Sequence, residues 1–359
     1  MAHHGTDDRR VHVGYARRIV TPEAPTMARR VHRIGVVMCL LALPSMCSIL
    51  SAPACAQAPT YITQWGTFGG GNSEFYFPRG VAVDAGGQVY VADSGNSRIQ
   101  VFNNSGGYLS QWGGLGTGNG QFAFNGPFGV AVDASGDVYV AEIDNNRIQK
   151  FTGDGTYITQ WGTSGNGNGQ FSSPYGVAVD ASGNVYVVDE ANNRIQKFTS
   201  DGTYLAQWGT QGSAGGQFYA PLGVAVDASG DVYVTDEVNN RVQKFTGDGT
   251  YLSQWGTFGN GNGQFKSPYG VAVDANGDVY VTDSGNSRVQ KFTSAGTYIT
   301  QWGASGSGNG QFSSPFGVAV DASGGVFVVD HLNNRIQKFG PLPTPTKATS
   351  WGRLKALYR

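Results

Sequence analysis

The sequence has 359 residues, of which only 14% are charged, with 55 glycines and a formal net charge of −1. That length can bury a large core, and so much glycine without a three-residue period excludes collagen and implies many turns between short elements. The charge is uneven: residues 1–58 carry seven arginines against three acids, and the remainder holds 17 basic and 22 acidic residues, a mildly acidic body poorly suited to gripping a phosphate backbone.

Met27 is followed by a basic stretch, an apolar run from Ile34 to Leu50, and small residues ending in Ala56-Gln57-Ala58. This is the three-part layout of a secretory signal peptide. Met27 is the expected start, and residues 1–58 are the expected leader. The competing reading is a membrane anchor, but the run is short for a span and contains Pro44. A lipidated Cys55 is weaker still, because Ala52-Pro53-Ala54 is a poor approach to it. Cleavage after Ala58 would remove all three cysteines, every methionine and four of five histidines, leaving only His331. The mature chain would then have no disulfide framework, no thiol nucleophile and no Cys/His zinc cage.

From residue 61 the chain copies itself. "YITQWG" or a close variant begins at 61, 108, 157, 204, 251 and 298. Each copy leads into a Gly-rich loop, then "P-x-G-V-A-V-D-A", "V-Y/F-V-x-D/E" and "N-N/S-R-I/V-Q-K/V-F". Runs such as "VYVVD" are β-branched and aromatic, as pleated buried strands require. "DASGDVYV" and "TGDGTY" supply hairpin turns between them. Four strands in a period of 47 to 49 residues predict a propeller blade. A linear solenoid would need atypical capping repeats, and the terminal units here are regular. The body opens on the last strand of a unit and ends at "RIQKF" (335–339), the third. The expected fold is therefore all-β: a six-bladed β-propeller with four antiparallel strands per blade over residues 59–339. Its ring is closed by the N-terminal strand joining the last blade, which satisfies two sheet edges.

This unit resembles the NHL repeat, six times over about residues 60–339. The resemblance implies the propeller but not the function, since NHL propellers include binding modules, sensors, RNA-binding regulators and a few lyases.

An acid, an asparagine and an arginine recur in every unit: Asp93/Asn96/Arg98, Glu142/Asn145/Arg147, Asp189/Asn192/Arg194, Asp236/Asn239/Arg241, Asp283/Asn286/Arg288 and Asp330/Asn333/Arg335. A catalytic site is one asymmetric constellation, so six copies predict local pinning of each hairpin. The repeated Trp and Tyr are expected to pack, and Lys150, Lys197, Lys244, Lys291 and Lys338 to snorkel rather than to form a nucleic-acid track. The loops "GNGNGQF" and "GSGNGQF" lack the Lys-Ser/Thr of a phosphate loop and are expected to be chain reversals.

Function is expected where the copies differ. The start of the first strand and the end of the second share one side of the ring, and the first strand is innermost. The variable residue of "P-x-G" is Arg79, Phe128, Tyr175, Leu222, Tyr269 and Phe316, an aromatic collar broken by one cation and one leucine. The residue after each hairpin acid also varies; Ile143, Glu190, Glu237 and His331 are the distinctive ones, with Glu190 and Glu237 forming an acidic sector. The loop "FAFNGPFG" before the second unit's first strand is two residues longer than its counterparts. This channel-mouth face is the expected binding surface.

The segment 340–359 reads as a Pro-rich linker (Pro341, Pro343, Pro345) with a basic tail (Lys347, Arg353, Lys355, Arg359) suited to surface or secretion sorting. The resulting expectation is a monomeric, non-catalytic propeller, secreted, periplasmic or on the cell surface, that binds a protein, peptide or glycan and no nucleic acid. No cofactor is expected, although a Ca²⁺ site of oxygen ligands stays open. The alternative is a metal-assisted lyase or lactonase-like enzyme. Propellers resembling the amidating lyases use several His ligands, and only His331 would remain here.

Overall fold

The structure, a computed structural model, describes residues 57–341. The Met27 start, the apolar run and the basic tail lie outside the described residues. No helix among the described residues is long and apolar enough to cross a membrane.

Six four-stranded antiparallel sheets form the blades. Blade one consists of Pro78–Val83, Val89–Asp93, Arg98–Phe102 and Tyr108–Gly113, from the inside outward. Blades two to five repeat that order, and blade six takes its first three strands from Pro315–Val320, Val326–Asp330 and Arg335–Gly340. Its outermost strand is the N-terminal Thr60–Trp65, paired antiparallel with Arg335–Gly340 in the register Thr60↔Gly340 and Trp65↔Ile336. The expected closure is thus present, and Gln64 of the closing strand accepts from Arg335 Nη1 at 2.7 Å, as Gln111 does from Arg98 in blade one.

The core lies between blades. All five residues of every second strand are buried, because neighbouring blades cover both faces. This is why "VYVVD" is apolar throughout rather than alternating. The outer strands, half covered, alternate: in Tyr157–Trp161 every second residue is exposed. One interface joins Ala82, Tyr90 and Ile99 of blade one to Val130, Val138 and Phe151 of blade two, with Trp112 packed against it. Phe122, from the Gly-rich loop, is fully buried in the same cluster, and Phe75, Phe171, Phe218, Phe265 and Phe312 are its equivalents. These loops are therefore chain reversals that also contribute to the core. The glycine after each tryptophan makes the reversal possible: Gly66, Gly113, Gly162, Gly209, Gly256 and Gly303 have φ between 105° and 118°, which a side chain disfavours. The strand-three lysines lie along apolar rings: Lys150 Nζ sits 5.0 Å from the Tyr139 ring centre and 2.8 Å from Asp137.

A second glycine ring surrounds the axis. A Cβ on Gly80, Gly129, Gly176, Gly223, Gly270 or Gly317 would come within 3 Å of the backbone oxygen of the next blade's collar residue, and Gly317 closes the circle on Arg79. The innermost strands approach this closely only because the P-x-G position has no side chain.

Candidate binding face at the channel mouth

The repeated hairpin cluster is buried scaffolding. Arg194 donates from Nε to Asp189 (2.7 Å), from Nη1 to Asn166 O and Gln207 Oε1 (2.8 and 2.5 Å), and from Nη2 to Gly167 O and Gln170 O (2.8 and 2.9 Å). All five of its donors are used. Asp189, fully buried, also accepts from Ser172 N at 2.7 Å and from Gln196 Nε2 at 3.1 Å. Asn192 spans Asp189 and Gly165 O, while Asn193, left-handed at φ 53°, accepts from Ala220 N of the loop leading into blade four. Each hairpin thus ties down the glycine loop leading into its own blade. The ion pair and the arginine's loop contacts recur in all six blades, whereas the left-handed asparagine is replaced by Ser97 in blade one and Ser287 in blade five. Blade two differs: with the longer loop, Glu142 reaches Arg147, Gln149 and Asn145 through an additional methylene. Burial pushes the carboxyls of Asp93, Glu142 and Asp236 upward, opposed by these hydrogen bonds and by their arginines.

On the same side of the ring, Pro78 pairs with Asp93 and Pro174 with Asp189, so the starts of the inner strands stand beside the hairpins. Arg79, Phe128, Tyr175, Leu222 and Tyr269 line one axial cavity of about 70 Å³ with the glycine ring and its valines. The collar folds across the mouth as a chain of ring contacts, tilted from Phe128 to Tyr269 and stacked from Tyr269 to His331. The Arg79 guanidinium lies 4.0 Å above Phe128, Phe128 lies 4.4 Å from Tyr175, and Tyr175 lies 6.5 Å from Tyr269. Tyr269 stacks on Phe316 at 3.9 Å, and Phe316 on His331 at 4.0 Å. His331 is buried, and its Nδ1 lies 2.9 Å from Pro78 O, so it braces blade six against blade one. Burial lowers its pKa to about 4, which makes it a neutral strut. Ser94 does the same from blade one, donating to Pro127 O at 2.5 Å.

The mouth is electrically lopsided. Arg79 is partly buried, its Nε has no hydrogen-bond partner, and it makes no ion pair among the described residues. Burial holds its pKa below the ordinary arginine value, opposed by Tyr269, Tyr175 and Asp144. On blades three and four, Glu190 is pushed up by burial and then by the charge of Glu237. Tyr175 is raised by burial and by Glu190, and Tyr269, whose hydroxyl is buried without a partner, is raised well above its usual value by burial. Ile143, Glu190 and Glu237 stand half-buried outside the axial cavity.

Sequence reasoning missed the exposed rings beside Arg79. Tyr76, Phe77 and Phe124 line a groove of about 220 Å³ with Arg79, Ser94, Gly95 and Asn125. Tyr76 and Phe77 stack at 4.7 Å, and Phe68 meets Tyr76 edge-on at 5.4 Å. The signal was available: "FYFPRG" and "FAFNGPFG" carry aromatics beyond the shared first Phe, where units three, five and six read "FSSPYG", "FKSPYG" and "FSSPFG". Unit four, "FYAPLG", keeps only Tyr219, the counterpart of Tyr76.

The family comparison agrees with this architecture. The NHL repeat model matches residues 75–102, 124–151, 171–198, 218–245, 265–292 and 312–339, one match per blade. The chain belongs to the NHL-repeat six-bladed β-propellers. Among curated proteins it is 40% identical to Protein brain tumor of Drosophila melanogaster over 60 residues, 17% of this chain and 6% of that one. It is 46% identical to NHL repeat-containing protein 3 of Homo sapiens over 48 residues, 13% of this chain and 14% of that one. The chain therefore spans only a small part of those relatives. Its shape is similar to a streptogramin B lyase (TM-score 0.51, 17% identity, 74% of this chain and 93% of that). It is also similar to XC5397 of Xanthomonas campestris, described as a gluconolactonase (0.54, 16%, 76% and 88%). A protein of unknown function from Bacteroides thetaiotaomicron matches as well (0.60, 18%, 77% and 76%). These likenesses show the fold alone.

Proposed function

We propose that this propeller is an exported, non-catalytic binding scaffold that holds a protein, peptide or glycan at the channel-mouth face. The observation that carries the reading is a contrast between arginines. Six hairpin arginines have every donor satisfied, and one mouth arginine, Arg79, is left buried at Nε without a partner beside the unpartnered Tyr269 hydroxyl. The indole N–H groups of the six outer-strand tryptophans are also unpartnered, but they are neutral and repeat in every blade. Unspent polar groups among aromatic faces are what a ligand site offers. The axial cavity is too narrow to engulf a large ligand, so the ligand lies across the collar. Arg79 and the Glu190/Glu237 pair on the far side orient it by charge.

The alternative, a metal-assisted lyase or lactonase, has the two enzyme-like folds in its favour. The donor set does not fit a metal. Glu190 and Glu237 are two carboxylates, no three His, Cys, Asp or Glu side chains converge among the described residues, and His331 is committed to Pro78 O. A hard cation asks for six or more oxygens.

The test is a glycan array combined with panning of a displayed peptide library, using the wild type and a Tyr175→Ala/Tyr269→Ala double variant. A binder retained by the wild type and lost by the double variant, with an unchanged melting temperature, supports the reading. Binders that ignore the double substitution would move the site elsewhere.

A further inference from the structure

We propose that the groove between blades one and two is a subsite for a uronic-acid residue of an acidic glycan. In it Arg79 receives the carboxylate, and Tyr76, Phe77 and Phe124 receive the faces of the sugar rings. This rests on the reading of the mouth as the binding face and names its ligand class.

Four observations converge. The groove, about 220 Å³, suits one ring rather than a drug-sized ligand. Its walls are exposed aromatics: Phe124 is 68% exposed, Phe68 beside it 70%, and Tyr76 and Phe77 over a third. Phe258 repeats Phe68 on blade five and Tyr219 repeats Tyr76 on blade four, but only beside Arg79 do Phe68, Tyr76, Phe77 and Phe124 gather in one patch, and such a patch marks an interaction surface. The electron-rich ring faces attract the polarised C–H bonds of a pyranose. Arg79 is the only arginine among the described residues without a carboxylate partner, and a guanidinium holds a carboxylate with charge-assisted, often bidentate, hydrogen bonds.

The backbone around the groove argues against an extended peptide. Gly95 N donates to Tyr76 O at 2.7 Å, Tyr76 N to Asp93 at 2.8 Å, and Phe77 N to Asn334 Oδ1 at 2.9 Å. Those groups are spent, so a strand has little to pair with. What remains is ring faces and one fork of donors, the complement of a flat sugar bearing an acid. Asp144 on the rim, held by Asn125 Nδ2 at 3.0 Å, is the acid whose field reaches Arg79, and it would repel the ligand carboxylate. This fixes the sign of one prediction.

The experiment is calorimetric titration of the full chain with tetragalacturonate, tetramannuronate, the carboxyl-reduced neutral tetramer, and acetyl-Ala-Ala-Phe with a free carboxylate. At least one uronate tetramer is expected to bind, the neutral tetramer about tenfold more weakly or worse. Arg79→Met should reproduce that loss with little change in the unfolding midpoint. Phe124→Ala should weaken binding several-fold, and Asp144→Asn should tighten it. Equal binding of acidic and neutral tetramers, or indifference to Arg79→Met, overturns the carboxylate role. Weaker uronate binding in Asp144→Asn overturns it equally. A peptide that binds at Arg79 while the uronates do not overturns the glycan assignment. If no probe binds, the subsite proposal falls, and the array and library result with the Tyr175/Tyr269 variant decides the mouth separately.

Discussion

Arginine occupies two kinds of place in this ring. Each hairpin arginine spends all five donors on its own blade and on the loop leading into that blade. Arg79 lies on Phe128, with its Nε buried and without a partner. The first environment is repeated six times and is satisfied six times; the second occurs once and is not. Repetition here distributes stability, because every copy solves the same problem of holding a glycine-rich loop against a blade. The departures from repetition cost stability locally and collect on one face. A buried charge left unpaired is expensive unless something else employs it, so the contrast separates scaffold from site more sharply than residue type does.

The contrast breaks first at a hairpin. Arg194→Met leaves Asp189 buried without its cation and frees the carbonyl of Asn166, while Gly167 O keeps only Gln170 N and Gln170 O keeps only Gln196 Nε2. The expected loss is about 3–5 kcal/mol, measured as a shift in the denaturant midpoint; a loss below about 1 kcal/mol would make the cluster something other than scaffold. Next comes the strut. His331 titrates near 6.5 when unfolded and at about 4 when folded. The unfolded chain therefore binds the additional proton between those values, and stability present above pH 6.5 is lost as the pH falls toward 4. The contribution is up to about 3 kcal/mol at 1.36 kcal/mol per unit. His331→Gln, which keeps a donor but cannot titrate, should flatten the melting temperature of the variant relative to wild type across that window. Parallel pH profiles would show that the ring is not a neutral brace. A smaller effect is expected on the axis. Gly129→Ala places a methyl group against Tyr175 O, and overpacking of this kind costs about 1–3 kcal/mol. A thermal melt unchanged by the substitution would show that the inner strands can part.

The period, the four strands and the closure were legible in the sequence because each depends on patterns that recur within the chain. The hairpin acid and arginine were legible as a pair, but their partners were not. Asn166 O and Gly167 O are backbone oxygens, and nothing in a residue's letter shows which carbonyl a guanidinium will meet. The P-x-G glycine read as motif, whereas its reason is the neighbouring blade's carbonyl, about 47 residues away. The collar's letters were legible from Arg79 to Phe316, yet the ring-to-ring contacts among them were not, since those depend on how far the blades converge. His331 showed as a variable letter at the mouth; only the position of Pro78 in the next blade makes it a strut. Tyr76, Phe77 and Phe124 were visible as letters, but their grouping beside Arg79 does not follow from the repeat, which shows only what the copies share.

The smallest expected effect sharpens the comparison most. Arg79→Met exchanges a desolvated, unpaired guanidinium for an apolar chain of similar length above Phe128. The cation–π attraction that the substitution removes is worth about 0.5–2 kcal/mol, while the desolvation cost of an uncompensated charge that it relieves has the opposite sign and is held down by the partial exposure of Arg79. The two oppose each other, so the midpoint should move by less than about 1 kcal/mol, and an increase in stability is as consistent as a small decrease. The same chemical substitution at Arg194 is expected to cost several times more. Measuring both in one denaturation series is the decisive comparison. If Arg79→Met destabilises the ring as much as Arg194→Met does, Arg79 is a seventh structural arginine and the mouth loses its claim to be where stability was given up for binding.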